Sequence, residues 1–220
     1  MTLFLTGGSR GIGKTIKQPF EFQGITVIAP SREELNLADK TSISSYLEKN
    51  AALKPDIFIH CAGINELAGI DTITQEILER VFQVNVYAPI QLLNSFSKGM
   101  KERKYGKILF ISSLYALVSK EKRIAYSSSK NALTGLCKTL TLELAPFNIL
   151  TNLLAPGYVM TDMTRKNLSS DEIRKIEENI PTGRFQTEQE IADTAFFLCS
   201  EKNKSITGQL LAVDGGYICR

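Results

Sequence analysis

Apolar residues fall along this chain in short continuous runs separated by longer stretches of helical spacing. The first run, Leu3 to Leu5, stops at Thr6. The chain then passes through a turn containing Gly7, Gly8, Gly11 and Gly13 and becomes helix-like from Ile12. Pro19 cannot donate to the carbonyl four residues back, which predicts an end or kink of this helix near Lys17 or Gln18. Gly24 reopens the chain. Ile25 to Ala29 reads as a buried parallel strand, and Glu34 to Leu37 as a brief third one. Thr41 or Ser42 is placed to cap a helix reaching to about Ala52. Beyond Pro55, Asp56 to His60 is the next strand, running into Cys61, Ala62 and Gly63.

The second half repeats the pattern. Thr74 is placed to cap a long helix with Ile77, Val81, Val84 and Ala88 along one face. Lys107 to Ile111 is a strand ending at Ser112 and Ser113, and a helix from Ile124 to Leu144 stops before Pro146. Ile149 to Leu154 is a strand closed by Pro156 and Gly157. Ser169 or Ser170, with Asp171 and Glu172, opens a short helix, and Thr187 with Glu190 has capping-box spacing ahead of another. A last strand, Gln209 to Val213, stops at Asp214-Gly215-Gly216. Strand and helix alternate about six times with no linker-like composition between them. This predicts an α/β fold, a doubly wound parallel sheet forming a single domain over residues 1–220, with ligands beyond the carboxyl ends of the strands.

Composition adds limits. Hydrophobic residues at 43% and charged residues at 22% fit a soluble globular protein, and a net charge of +3 is too small to argue for nucleic acid or membrane as partner. Cys61, Cys137, Cys199 and Cys219 lie far apart and form no metal-like pair, so no metal is expected and the thiols read as reduced. The first strand follows Met1 almost at once, and no apolar run reaches the length of a membrane span. A soluble, cytoplasmic protein is expected.

Three features carry chemistry. Glycines at 7, 11 and 13 let backbone N–H groups approach an anion, and the helix that follows turns its positive end toward the same place. The plain alternative is a tight turn without a ligand; no Gly-Lys-Ser/Thr follows, so this is not a P-loop. Tyr126 and Lys130 stand four apart on a helix and face one side, where an ammonium favours the phenolate and makes the pair a usable acid or base. A solvated helix face would carry the same two residues. Ser113 ends a strand where its hydroxyl can meet a substrate carbonyl; Ser112 is the alternative, and side-chain alternation allows only one of them to face the site.

The Thr6–Gly13 loop, Cys61-Ala62-Gly63, Asn85 within Val-Asn-Val, Ser113, Tyr126-x-x-x-Lys130 and Pro156-Gly157 before Thr161 together resemble the short-chain dehydrogenase/reductase family, in order and over nearly the whole chain. The resemblance implies a Rossmann-like, nicotinamide-dependent oxidoreductase. Tyr126 would exchange the proton with the carbonyl or alcohol oxygen, and Ser113 would hydrogen-bond that oxygen. Lys130 would lower the Tyr126 pKa and hold the ribose, while Asn85 would support a water leading to Lys130. Gly7, Ser9, Arg10, Gly11, Ile12 and Gly13 would surround the pyrophosphate. Ser31, Arg32, Asn36 and Leu37 would meet the adenosine end, with Cys61, Ala62 and Gly63 under the ribose. Pro156, Gly157, Val159 and Thr161 would line the nicotinamide end.

The chain departs from the family pattern in three places. His60 replaces the usual first Asn of an Asn-Asn-Ala-Gly stretch and reads as a structural substitution. The segment around Arg32 and Glu34 is abbreviated and loses a helix, and Asn36 takes the place of an Asp; the early Pro19 is the third departure. No acidic residue stands at the end of the second strand itself, where Ser31 and Arg32 lie with Arg10 nearby, so NADP(H) is expected, with NAD(H) as the alternative. Glu33 and Glu34 follow close behind.

Residues 158–185 read as a lid over a small-molecule carbonyl or alcohol. Tyr158, Met160 and Met163 would give its apolar face, and Arg165, Lys166 and Arg184 its charge. The resemblance leans to a 3-oxoacyl thioester. The rival reading is a non-catalytic dinucleotide-binding redox sensor. A homodimer or homotetramer is expected through the Thr74 and Ile124 helices, with Leu133, Leu136, Leu140 and Leu144 as an apolar stripe.

Overall fold

The computed structural model describes residues 1–219, the side chains of Met163 and Asn167 excepted. Six strands, β1 (Thr2–Thr6), β2 (Thr26–Ile28), β3 (Ile57–His60), β4 (Gly106–Ile111), β5 (Ile149–Pro156) and β6 (Leu210–Val213), form one parallel sheet in the order β2-β1-β3-β4-β5-β6. From β1 the chain goes to β2 on one side and then crosses to β3 on the other. The β1/β3 boundary is therefore the switch point where such sheets bind ligands, and the pairing of Thr6 with His60 sets its edge.

Alternation along each strand sorts the core into two layers. Phe4, Phe58 and Phe110 point to one face, where Phe96 meets the Phe4 ring at 4.9 Å, under the helices α2 (Lys40–Lys49), α4 (Ala88–Arg103) and α5 (Ile124–Leu144). Leu3, Leu5, Ile57 and Ile59 point to the other, against α1 (Gly11–Phe22) and α8 (Glu188–Cys199). Three further helices are α3 (Gln75–Phe82), α6 (Asp162–Asn167) and α7 (Ser170–Glu177).

Several expectations need correction. Pro19 does not end α1: the helix runs on to Phe22, where Ile16 and Phe20 are fully buried and Phe20 packs edge-on to Phe196 of α8 at 5.0 Å. The loss of one backbone donor is outweighed by that packing. Glu34 to Leu37 is a loop rather than a strand. Leu35 and Leu37 are buried there as anchors under α2, with no neighbouring strand to pair with. The cap of α2 is Asp39, which accepts from the Thr41 N–H at 2.8 Å, while the Ser42 hydroxyl accepts instead from the Asn36 N–H at 3.0 Å. In the leucine stripe of α5, Leu133 and Leu144 are buried in the molecule's own core, while Leu136 and Leu140 pack at its edge and stay half-buried. The large apolar side chains that α5, α4 and the turn leading into α4 leave exposed are Leu142, Ile90 and Tyr87.

Candidate active site

The glycine turn between β1 and α1 is held open by geometry that only glycine supplies. Gly7 has φ 75° and Gly11 φ 54°; a Cβ on Gly7 would lie 2.6 Å from the Ala62 nitrogen, and one on Gly13 would overlap the Gly7 carbonyl. Arg10 sits at the N-cap of α1 without a side-chain cap, and the first turn holds no acidic residue. The leading N–H groups of α1 are thus left for an anion, and the residues present fit a dinucleotide pyrophosphate. Ser9 and Arg10 in this turn are exposed, as is Arg32 beyond β2, and Ile12 is half-buried. Glu188, at the start of α8, accepts from the Thr15 hydroxyl at 2.9 Å beside Gly11.

Beneath the turn, β3 ends in Cys61, Ala62 and Gly63, and Asn85 fastens the backbone at Ile64, the next residue. Residues 83–87 form a single π-helical turn between α3 and α4 that rotates Asn85 inward. Its amide accepts from the Ile64 N–H at 2.9 Å and donates to the Ile64 carbonyl at 3.0 Å and to the Ser129 hydroxyl at 2.9 Å. The Asn85 side chain is therefore a strut between β3 and α5.

Tyr126, Ser129 and Lys130 lie on the first turns of α5. The Lys130 ammonium donates to the Ile111 carbonyl at 2.8 Å, lies 5.6 Å from the Tyr126 ring centroid, and is 3.3 Å from where a Gly63 Cβ would stand. Burial pulls its pKa down to about 8, so it keeps most of its charge at neutral pH. Burial also pushes the Tyr126 phenol above its ordinary value, against the opposing pull of the Ser113 hydroxyl and Arg123. The Ser112–Ser113 choice is resolved: Ser112 is buried with its hydroxyl donating to the Lys130 carbonyl at 3.3 Å, whereas Ser113 faces Tyr126. Cys61, pushed up to about 12 by burial, stays a thiol.

The sequence reading missed Tyr115, Arg123, Ser129 and Tyr217. Tyr115 stands edge-on to Tyr126 at 6.3 Å, with the Arg123 guanidinium 5.4 Å from its ring centroid, and its hydroxyl is 3.5 Å from that of Tyr158. Tyr217 meets Tyr158 at 5.3 Å. Tyr115, two residues past Ser113, and Tyr217, just past the Gly215-Gly216 stop, were visible as aromatic residues following strand ends.

At the next strand end, a Cβ on Gly157 would come within 2.6 Å of Asp214 Cα, so only glycine lets β5 and the end of β6 approach there. Val159 pairs with Gln186, and Thr161 caps α6 by accepting from the Thr164 N–H at 3.1 Å. Arg165 and Lys166 are exposed. Arg184 is instead committed to Glu190, with N–O 2.6 Å, and is not a free positive charge over the site. Met163 lies outside the described side chains.

His60 replaces an amide with a fully buried imidazole whose Nδ1 is 2.8 Å from the Thr6 hydroxyl. Burial, helped by the Lys130 charge and opposed by the Val84 backbone, lowers its pKa to about 3. An unfolded chain binds this proton below pH ~6.5 and the folded one refuses it until about pH 3, so stability is lost as pH falls through that window, by about 1.4 kcal/mol per unit. Denaturant melts of wild type and His60→Asn between pH 7 and 5 should show the steeper loss in the wild type; equal slopes would contradict the assignment.

Comparison with known proteins agrees with this geometry. A family model described as enoyl-(acyl carrier protein) reductase matches residues 33–218. The chain is 33% identical over 235 residues to a 3-oxoacyl-[acyl-carrier-protein] reductase of Buchnera aphidicola, covering 98% of this chain and 96% of the relative. Among solved structures, a short chain dehydrogenase family protein of Francisella tularensis superposes with TM-score 0.88 at 29% identity, covering 100% of this chain and 99% of that one. ElxO with NADP bound superposes with TM-score 0.89 at 26% identity, covering 100% and 99%.

Proposed function

Because the chain belongs to the short-chain dehydrogenase/reductase family and is an NAD(P)-dependent oxidoreductase, we propose that it reduces the carbonyl of a 3-oxoacyl thioester with NADP(H) as cofactor. The observation that carries the reading is the convergence of the Ser113 hydroxyl and the Tyr126 phenol at the end of β4, with the charged Lys130 behind them. When bound, the nicotinamide supplies hydride. Tyr126, its proton held by the raised pKa, gives that proton to the carbonyl oxygen, and Ser113 donates a hydrogen bond to the same oxygen. Lys130 spends one of its three donors on Ile111 and keeps two for ribose hydroxyls.

Gly7, Ser9, Gly11, Ile12 and Gly13 would hold the pyrophosphate, and Asn36 and Leu37 would meet the adenine side. Cys61, Ala62 and Gly63 would lie under the ribose, and Pro156, Gly157, Val159 and Thr161 would meet the nicotinamide. Residues 158–185 form the lid, with Tyr115, Tyr158 and Tyr217 as an aromatic wall for the acyl group. The free thiols suit a reducing, cytoplasmic setting. A homodimer or homotetramer would place the exposed Tyr87, Ile90 and Leu142 at its interface, which sedimentation at micromolar concentration would read.

The thioester reading is tested by following nicotinamide absorbance of NADPH with a 3-oxoacyl thioester against sugar and steroid ketones. A preference for either of the latter would replace it. For the cofactor, Arg10→Ala with Arg32→Ala should weaken NADPH far more than NADH, since each charge-assisted contact contributes about 1.5–3 kcal/mol. Equal losses in calorimetric titrations would show that the arginines do not read the 2′-phosphate.

A further inference from the structure

We propose that Glu34 sets the balance between NADPH and NADH in this chain, its carboxylate occupying the backbone donor just past β2 that a ribose 2′-phosphate would take. The inference rests on the proposed binding of a nicotinamide dinucleotide across the β1/β3 crevice, with its adenosine ribose at the end of β2.

The geometry is specific to this chain's short β2–α2 connection. With no helix between them, the chain passes from Ile28 into a closed turn in which the Leu35 N–H donates to the Ser31 carbonyl at 2.9 Å. Within it, the Ser31 N–H donates to Glu34 Oε2 at 2.7 Å, and the Glu34 N–H donates to the Ser31 hydroxyl at 3.3 Å. The turn is anchored on its far side by buried Leu35 and Leu37 and by the bond from the Asn36 N–H to Ser42. The Asn36 side chain is itself turned back on the loop, accepting from the Ala38 N–H at 3.2 Å. Glu33 joins the arrangement: its own N–H and the Ser31 hydroxyl hold its carboxylate below the ordinary range, with Arg32 adding to the effect.

The linear sequence put no acid at the strand end; the fold puts one there. An acidic group in that place accepts from a ribose 2′-OH and opposes a 2′-phosphate. NADPH must therefore displace Glu34 from Ser31 before its phosphate gains that N–H, whereas NADH loses nothing by leaving it in place. The attraction of Arg10 and Arg32 for the phosphate is partly offset, and the wild-type preference for NADPH is correspondingly modest.

Calorimetric titration of the full chain with NADPH and with NADH tests this, using wild type, Glu34→Gln, Glu34→Ala and, as a charge control, Glu48→Gln on the exposed side of α2. Removing the Glu34 charge should tighten NADPH about tenfold, the size expected for one exposed carboxylate against a nearly doubly charged phosphate, and leave NADH unchanged or weaker. Glu48→Gln should leave the ratio as it is. Both Glu34 variants alter one exposed turn, and their unfolding midpoints should match wild type. An unchanged NADPH/NADH ratio in both Glu34 variants of a protein that binds NADPH overturns this inference alone. A ratio that shifts in the Glu34 variants while the arginine variants lose both nucleotides equally supports it and removes only the arginine reading. A wild type that binds neither nucleotide overturns both.

Discussion

Tyr126→Phe is expected to lower carbonyl reduction by at least about a hundredfold while leaving nucleotide affinity nearly unchanged. The substitution removes one hydroxyl and keeps the ring, so the edge-on contact with Tyr115 and the cation–π contact with Lys130 both survive. What is lost is the proton donor. A positioned acid contributes about 10²–10⁴ in rate, and an oxygen left without its donor as charge develops pushes the loss toward the upper end. Nucleotide binding rests on the glycine turn and on Lys130, whose bond to Ile111 does not depend on the phenol. A Phe variant that turned over at the wild-type rate would show that the proton comes from elsewhere.

Gly13→Ala is the second substitution with a large expected effect. The added methyl would overlap the Gly7 carbonyl, and both atoms belong to backbone, so no side chain can rotate away and the turn itself must shift. Forced overpacking of this kind costs about 1–3 kcal/mol of stability. The displaced N–H groups at the start of α1 should also weaken NADPH by more than about tenfold. Gly135→Ala, in the exposed middle of α5 with open space around it, is the matching control. It should gain about 0.4–1 kcal/mol by limiting the unfolded chain. Thermal melts and NADPH titrations of the two variants separate a local clash at the anion turn from a general intolerance of glycine replacement.

The parts of the fold and site that were legible in sequence are those whose physics is local. Glycine spacing in the first turn, the four-residue spacing of Tyr126 and Lys130, and the Thr187–Glu190 capping box all depend on neighbours a turn away, and each is formed. The parts that were not legible depend on what packs from elsewhere. Leu35 and Leu37 alternate as in a strand, yet they anchor a loop because no partner strand lies beyond β2. A leucine stripe on α5 has the same period whether it faces a second copy or its own core; Leu133 and Leu144 are buried in the core, while Leu136 and Leu140 lie half-buried at its edge. Pro19 costs one hydrogen bond, but the sequence does not show that Phe196 packs against Phe20, the residue that follows it. Arg184 looks like a free charge until Glu190 is brought beside it. Which of Ser112 and Ser113 faces the site, and the return of the Glu34 carboxylate to Ser31, likewise depend on the folded backbone.

The transfer of label from NADPH carrying deuterium at the reactive nicotinamide carbon, incubated with the full chain and a 3-oxoacyl thioester, tests the central claim most directly. The account predicts deuterium on the carbinol carbon of a 3-hydroxyacyl product, formed by the wild type and lost with Tyr126→Phe. Tight NADPH binding with no label delivered to the thioester or to any ketone in a panel would contradict it, leaving a protein that holds the dinucleotide without using it.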